Sequence, residues 1–213
     1  MEDQELFSRY MKLTTCQASD GMDGLGIRRG GLVGIHGLEP VQKVIGRAFT
    51  VVVAPHETDS HRRLEYLAHA KSGDVIVLAH GGRLDCSVWG GQRSIGAIQK
   101  GAVAAVVDGA YRDIDEHRAV GFPVFGRAPT SMSSRGNVVP VAVNEEVSIA
   151  GLAVKPGDVI FGDASGVVVI PREDAERVLE RAEATAAEEA RIAAAVDSGQ
   201  DFVSFRAEVR GGR

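Results

Sequence analysis

Two cysteines in 213 residues, Cys16 and Cys86, give no disulfide framework and no zinc-type ligand spacing. Aromatic side chains make up only 5% and tryptophan occurs once, so the core has to be built from aliphatics. No apolar run approaches the roughly 20 residues that span a bilayer. No run of Lys or Arg marks a nucleic-acid or membrane surface, and the net charge is −5. The opening MEDQELFSRY is acidic and polar, unlike a secretory signal. The cluster GGQRSIG lacks the G-x-G-x-x-G spacing of a dinucleotide site, and no P-loop Lys-Ser/Thr pair follows a glycine run. What these absences leave is a cytoplasmic enzyme or binding protein, with neither nucleic acid nor membrane expected as a partner. The length favours one domain over 1–213.

The pattern of the chain is mixed. β-branched runs bounded by Pro, Gly or Asp predict strands at 47–54, 74–79, 102–107 and 121–125, and shorter ones at 138–143, 147–149, 158–161 and 166–170. The 74–79 strand is expected to end at the turn His80-Gly81-Gly82. Short helices are predicted in the first ten residues and over 14–23. A helix over 61–71 would bury Leu64, Leu67 and Ala68, and one after Gly91 would carry Ile95 and Ile98 inward. From Pro171 a long helix over 171–196 has acids near its start and an apolar stripe of Val178, Leu179, Ala182, Ala186, Ile192, Ala193 and Val196. The tail 200–213 is too apolar in its first half to be free, and packs on this chain or on a neighbour. The expected class is α/β, with layers around a mixed sheet and no regular doubly wound order.

Chemistry concentrates in WGGQRSIGAIQKGAVAAVVDGAYRDIDE, from Trp89 to Glu116. Glycines at a helix entrance allow a ligand to approach the backbone, and the free N–H groups of Gly91, Gln92, Arg93 and Ser94 suit an anion there. The strand 102–107 then delivers Asp108-Gly109 and Arg112-Asp113 at its exit, where α/β pockets open. Arg grips a carboxylate with two parallel bonds, and Asp is a hard oxygen ligand for Mg²⁺ or Mn²⁺.

Gly91, twenty residues, Arg112-Asp113, two residues and Glu116 fit the pattern G-X20-R-D-X2-E/D. By that motif the chain resembles the RraA-like proteins, the group of the class II 4-hydroxy-4-methyl-2-oxoglutarate aldolases. AKSGDVIVL, GAVAAVVDGAYRD, GFPVFGR and VKPGDVIFGDASGVVVIPREDAERVL extend the likeness over most of the chain beyond about residue 45. The resemblance implies an α-β-β-α sandwich like that of swivelling phosphohistidine domains, assembled as a trimer or as a hexamer of two rings. It implies a divalent-metal-dependent lyase that releases pyruvate from 4-hydroxy-2-oxo acids, with oxaloacetate decarboxylation beside it. Asp113 would ligate the Mg²⁺ or Mn²⁺ ion directly and Glu116 through a water. Arg112 would contact the keto and carboxylate oxygens of pyruvate, and the N–H groups of Gln92, Arg93 and Ser94, entered at Gly91, would bind that carboxylate. The alternatives are a non-catalytic regulator of ribonuclease E on the same fold, or an enzyme acting on another oxo or hydroxy acid. GGQRS replaces the aliphatic helix start frequent in such proteins. Arg93 therefore either reaches a distal carboxylate or faces solvent or a neighbouring subunit.

Other polar residues carry weaker signals. His56, Glu57, Asp59 and His61 match no ligand motif and read as a polar loop and helix start. His80 and Asp85 fall where they would line the mouth of a site. Asp108 either enters the pocket or caps the following turn. Cys86 has no base partner in sequence, and neither Lys43 nor Lys100 sits in an apolar strand as a Schiff-base lysine would. Trp89 reads as packing.

Overall fold

The computed structural model describes residues 1–27, 30–55, 61–134 and 138–211, with the backbone alone at 61–64 and 210. The chain packs as two compact units. One is Gly30–Ala175, and the other is formed by the two ends, Met1–Arg29 and Glu176–Arg213.

The larger unit contains strands β1 (His36–Gly37), β2 (Val44–Pro55), β3 (Asp74–Trp89), β4 (Ala104–Tyr111), β5 (Val124–Pro129), β6 (Val138–Val143), β7 (Val147–Ile149), β8 (Leu152–Val154), β9 (Val159–Asp163) and β10 (Gly166–Ile170). The main sheet runs β1-β5-β4-β3-β2-β9-β10, with β6 also paired to β2. Its centre, β2 to β5, is parallel, and every pairing outside it is antiparallel. Successive side chains of a strand point to opposite faces, and here both faces are covered. Ile76, Leu78, Ala105 and Val107 enter one core, while Val75, Val77, Ala104 and Val106 enter the other. The first core receives Tyr66 and Leu67 from a 3-10 helix (His61–His69), Ala97 from a helix at Gly91–Gln99, and Phe122 after a helix at Ile114–Val120. The second receives Ile149 and Val154 from the two-stranded sheet of β7 and β8. This is the α/β class with a mixed sheet that the strand pattern predicts.

Several local expectations give way to packing. β3 does not stop at His80 but runs to Trp89, because Gly81 and Gly82 take φ of 65° and 76° and bend the strand, shifting its register against β4. The 61–71 segment is 3-10 and not α, so Tyr66, Leu67 and Ala70 are buried while Ala68 is exposed. Leu64 lies outside the residues whose side chains are described. The helix after Gly91 buries Gly91, Ser94 and Ala97, every third residue, and leaves Ile95 and Ile98 57% and 45% exposed. Only small side chains meet the core from that helix, so its isoleucines turn outward.

In the smaller unit, α1 (Asp3–Tyr10) and α2 (Thr15–Gly24) accompany the C-terminal helices, which we number after the two already introduced, α3 (Gly91–Gln99) and α4 (Ile114–Val120), as α5 (Ala175–Asp197) and α6 (Phe202–Gly211). Thr14 and Gln17 close a reciprocal capping box at the start of α2. Arg9 Nε donates to Glu183 Oε1 at 2.9 Å. A single 3-10 turn, Arg172–Asp174, precedes α5, and the tail 200–213 is helical over most of its length. On α5, Val178, Leu179, Ala182 and Ile192 are buried as expected, but Thr185 and Ala195 complete the stripe while Ala193 and Val196 are exposed. No described helix is long and apolar enough to cross a membrane.

Candidate functional site

Three parallel strands end side by side, β3 at Trp89, β4 at Tyr111 and β5 at Pro129, and these residues are register partners. Arg112 N–H donates to the Trp89 carbonyl at 3.0 Å, and Thr130 N–H donates to the Tyr111 carbonyl at 2.8 Å. The residues that follow each strand are thereby held in a row at its carboxyl end, where ligands of α/β proteins bind. A cavity of about 570 Å³ opens there, between Arg112 and Asp113 on one side and Pro129, Thr130 and Ser131 on the other.

Asp113 is the most informative residue of this wall. It sits just before α4 with φ 60° and ψ 47°, the left-handed region that a non-glycine residue enters at a cost. Its side chain does not cap α4. The turn aims it back at α3, where Oδ2 accepts the Gly91 N–H at 3.0 Å and lies 3.3 Å from Arg112 Nε. Its other carboxylate oxygen has no hydrogen-bond partner among the described residues, and the side chain is 27% exposed. Backbone strain that orders a carboxylate at a cavity wall is a mark of function.

The glycines before α3 are required by this arrangement. A Cβ on Gly90 would stand 2.6 Å from Asp113 Oδ2, and one on Gly91 would fall inside Glu116 Oε2 and 2.9 Å from Glu116 Cβ. Gly91, Arg112, Asp113 and Glu116, spread over 26 positions of sequence from Gly91 to Glu116, therefore meet at one place. Glu116 is exposed and forms no hydrogen bond among the described residues.

The expected row of free N–H groups is narrower than the sequence implied. Gly91 donates to Asp113, and Arg93 and Ser94 both donate to the Gly90 carbonyl, at 2.9 and 3.3 Å. Gln92 alone keeps an unengaged N–H among these four in the described residues. The Ser94 side chain is fully buried and faces the core: its Oγ accepts the Trp89 indole N–H at 2.9 Å and lies 2.9 Å from His117 Nδ1. Burial pushes the His117 imidazole below its ordinary range, with the Arg112 backbone and Asp113 opposing. Trp89 stacks on Phe122 at 5.9 Å and is packing, as read. Arg93 does not line the cavity; its guanidinium is 3.5 Å from Ser134 Oγ and close enough to Tyr66 to oppose the upward push of burial on that phenol. His117, Tyr66, Thr130 and Ser131 escaped sequence reasoning. For the last two a signal existed, since they follow β5 just as Gly90 and Arg112 follow their strands.

His56, Glu57 and Asp59, and the side chain of His61, lie outside the described residues. Asp85 is paired with Arg83, its Oδ1 3.0 Å from Arg83 Nε, and His80 is buried. Asp108 neither lines the cavity nor caps the turn that follows it. It is buried against Arg127 Nε at 2.6 Å and accepts the Ala150 N–H at 3.3 Å. Breaking such a pair strands a buried charge, so Arg127→Met should lower stability by roughly 3 kcal/mol. Urea denaturation checks this, and an unchanged midpoint would contradict it.

The donor set at the cavity suits a hard divalent cation. Mg²⁺ and Mn²⁺ are held by one or two carboxylates, with waters and substrate oxygens completing the shell. Asp113 at the cavity wall, with its unpartnered oxygen, and the exposed Glu116 carboxylate near Gly91 supply that chemistry.

Known proteins resemble this chain in sequence and in fold. A family model described as RraA-like, Aldolase/RraA, matches residues 15–169. Protein DlpA of Legionella pneumophila is 32% identical over 204 residues, 94% of this chain and 33% of that protein, so the chain spans about a third of that relative. A Halalkalibacterium halodurans protein named "Putative 4-hydroxy-4-methyl-2-oxoglutarate aldolase" is 38% identical over 180 residues, 84% of this chain and 82% of that one. The crystal structure of an uncharacterized protein from Pseudomonas syringae superposes with a TM-score of 0.87 at 35% identity, covering 95% of this chain and 97% of that one.

Proposed function

The chain belongs to the RraA-like (Aldolase/RraA) family, and from that premise we propose that it is a divalent-metal-dependent carbon–carbon lyase. Its substrate class is 4-hydroxy-2-oxo acids of the 4-hydroxy-4-methyl-2-oxoglutarate type, cleaved to pyruvate, with decarboxylation of oxaloacetate as the companion reaction. The observation that carries the reading is the Asp113 carboxylate, turned through a left-handed backbone onto the Gly91 N–H and Arg112 at the wall of the cavity.

Asp113, with Glu116 behind it, is the pair that would hold Mg²⁺ or Mn²⁺, and the ion when bound supplies Lewis-acid stabilisation of negative charge. The chain's own residues do the rest. Arg112 uses Nε toward Asp113, which leaves its outer N–H groups for the 2-oxo acid's carboxylate and keto oxygens. The Gln92 N–H adds a second donor for the carboxylate. In the retro-aldol step the 4-hydroxyl loses its proton, the C3–C4 bond breaks, a carbonyl forms at C4 and the electron pair passes to C3 as the enolate of pyruvate. Arg112 stabilises that developing charge, and a proton returned to C3 completes the product. Oxaloacetate yields the same enolate on losing CO₂. We assign the proton transfers to Glu116, the free carboxylate beside Asp113. Thr130 and Ser131 line the same cavity as Arg112 and would meet the distal half of the substrate.

Because Lys lacks the planar fork that serves Asp113 and substrate together, Arg112→Lys should lower kcat/KM for pyruvate release about 100-fold or more at saturating Mg²⁺. Steady-state kinetics test this, and near-normal kcat/KM would remove Arg112 from the reaction. The same reading includes assembly as a trimer or a two-ring hexamer. The exposed Ile95 and Ile98 of α3 support it as apolar surface suited to a subunit contact.

A further inference from the structure

His80, Asp85 and Cys86 lie on β3 outside the cavity wall and take no part in the reaction above. In a regular strand, residues five and six apart are too far from one another to touch. Here the bend at Gly81 and Gly82 folds the strand so that an imidazole nitrogen, a carboxylate oxygen and a thiol sulfur come within 4.8 Å of one another. His80 Nε2 and Cys86 Sγ are 3.7 Å apart, and both residues are buried, at 3% and 2% exposure. Asp85 faces solvent.

Hydrogen bonding does not account for this cluster. His80 Nε2 meets only the thiol, a weak partner for an imidazole, and Nδ1 makes no hydrogen bond of good geometry among the described residues, although the Val53 backbone lies close enough to act on the ring. A buried imidazole nitrogen that faces only a thiol calls for an explanation. Zinc bond lengths supply one: a nitrogen at about 2.05 Å and a sulfur at about 2.3 Å around a tetrahedral ion lie roughly 3.6 Å apart. The observed separation is 3.7 Å.

We propose that His80, Asp85 and Cys86 form a second metal site, for a borderline-soft divalent cation of the Zn²⁺ class, with water in the fourth position. Its imidazole and thiolate donors favour Zn²⁺ over the Mg²⁺ or Mn²⁺ suited to Asp113, so the two sites divide the metals by chemistry. Two buried donors are fixed by the strand, and the exposed Asp85 closes over the ion. Burial pushes the His80 imidazole below its ordinary range, the direction that favours a metal-binding nitrogen. Burial pushes the Cys86 thiol up, and a bound cation would displace its proton. Arg83 opposes the site, because it now occupies Asp85 and has to release it. That ion pair is exposed and its loss costs little. A bound ion would cross-link the bend that leads directly into Trp89, Gly90 and Gly91.

Titration of the purified metal-free protein with Co²⁺, followed by competition with Zn²⁺, tests the site through the near-ultraviolet sulfur-to-cobalt absorption. Wild type should develop that band, and Zn²⁺ should remove it. Cys86→Ser should abolish the band, His80→Gln should weaken Co²⁺ binding at least tenfold, and Arg83→Gln should tighten it. Asp113→Asn and Cys16→Ser should leave the band intact, which separates this site from the one at the cavity and from the exposed thiol. No sulfur band at millimolar Co²⁺, or a band that follows Cys16, would overturn the proposal. Should Cys86→Ser fold poorly, the His80→Gln and Arg83→Gln shifts decide it, because they act in opposite directions on the same band.

Discussion

Asp113→Asn is expected to reduce metal-dependent pyruvate release by about 1000-fold or more, beyond the roughly 100- to 1000-fold typical of removing one transition-state donor. The substitution is chosen from the backbone. Asp113 occupies the left-handed region, which Asn enters at less cost than Ala, so Asn keeps the turn and still offers an oxygen to the Gly91 N–H. What disappears is the charge that would hold a divalent cation and face Arg112. The thermal midpoint should therefore stay close to wild type while the Mg²⁺ or Mn²⁺ dependence vanishes. Substantial metal-stimulated turnover in a folded Asp113→Asn protein would take Asp113 out of the mechanism.

Gly91→Ala should be nearly as damaging for a different reason. One methyl at this position falls on the Glu116 carboxylate and within 2.9 Å of Glu116 Cβ. The carboxylate can swing aside, but Cβ is fixed to the backbone of α4, so α3 and α4 have to separate. Overpacking of this kind costs about 1–3 kcal/mol of stability. It also displaces the Gly91 N–H that orders Asp113. Misplacing reacting groups by about 1 Å costs on the order of 100-fold in rate, and that loss is the expected drop in kcat. The measurement is kcat beside a denaturation midpoint, since a stability loss without a rate loss would mean that the contact serves folding alone. Full activity in Gly91→Ala would show that Glu116 does not need its observed place.

The legible parts of the fold are those where side-chain type and chain direction agree. β6, β7 and β10 fall on the residues that their β-branched runs and flanking turns mark, 138–143, 147–149 and 166–170. β3 is misjudged because a glycine pair normally ends a strand, whereas here it bends one that goes on pairing with β4. α4 is seven residues long, too short for a hydrophobic period, and its start depends on the left-handed turn at Asp113. The phase of α3 is also invisible from composition. Isoleucine argues for burial, but the helix meets its core through Gly91, Ser94 and Ala97.

The same distinction runs through the candidate site. Gly91, Arg112 and Asp113 are recognisable because one strand, β4, lies between the glycine turn and the Arg-Asp pair, while Glu116 is picked out by the resemblance to the family motif. The neighbours of Gly91 are not recognisable in that way. Helical geometry returns the N–H groups of Arg93 and Ser94 to Gly90 and sends the Ser94 hydroxyl to Trp89 and His117. Nor does sequence spacing reveal that His80 reaches Cys86, since only the Gly81-Gly82 bend makes residues six apart into neighbours.

The central claim is enolate chemistry under a divalent cation at Asp113. The most direct measurement is pyruvate release from oxaloacetate and from 4-hydroxy-4-methyl-2-oxoglutarate, with Mg²⁺ or Mn²⁺ and then with excess chelator. The account predicts release from at least one of them that chelator abolishes and added metal restores. No release from either by folded, metal-supplemented protein, or release indifferent to chelator, would contradict it and favour a non-catalytic binding role for the same fold.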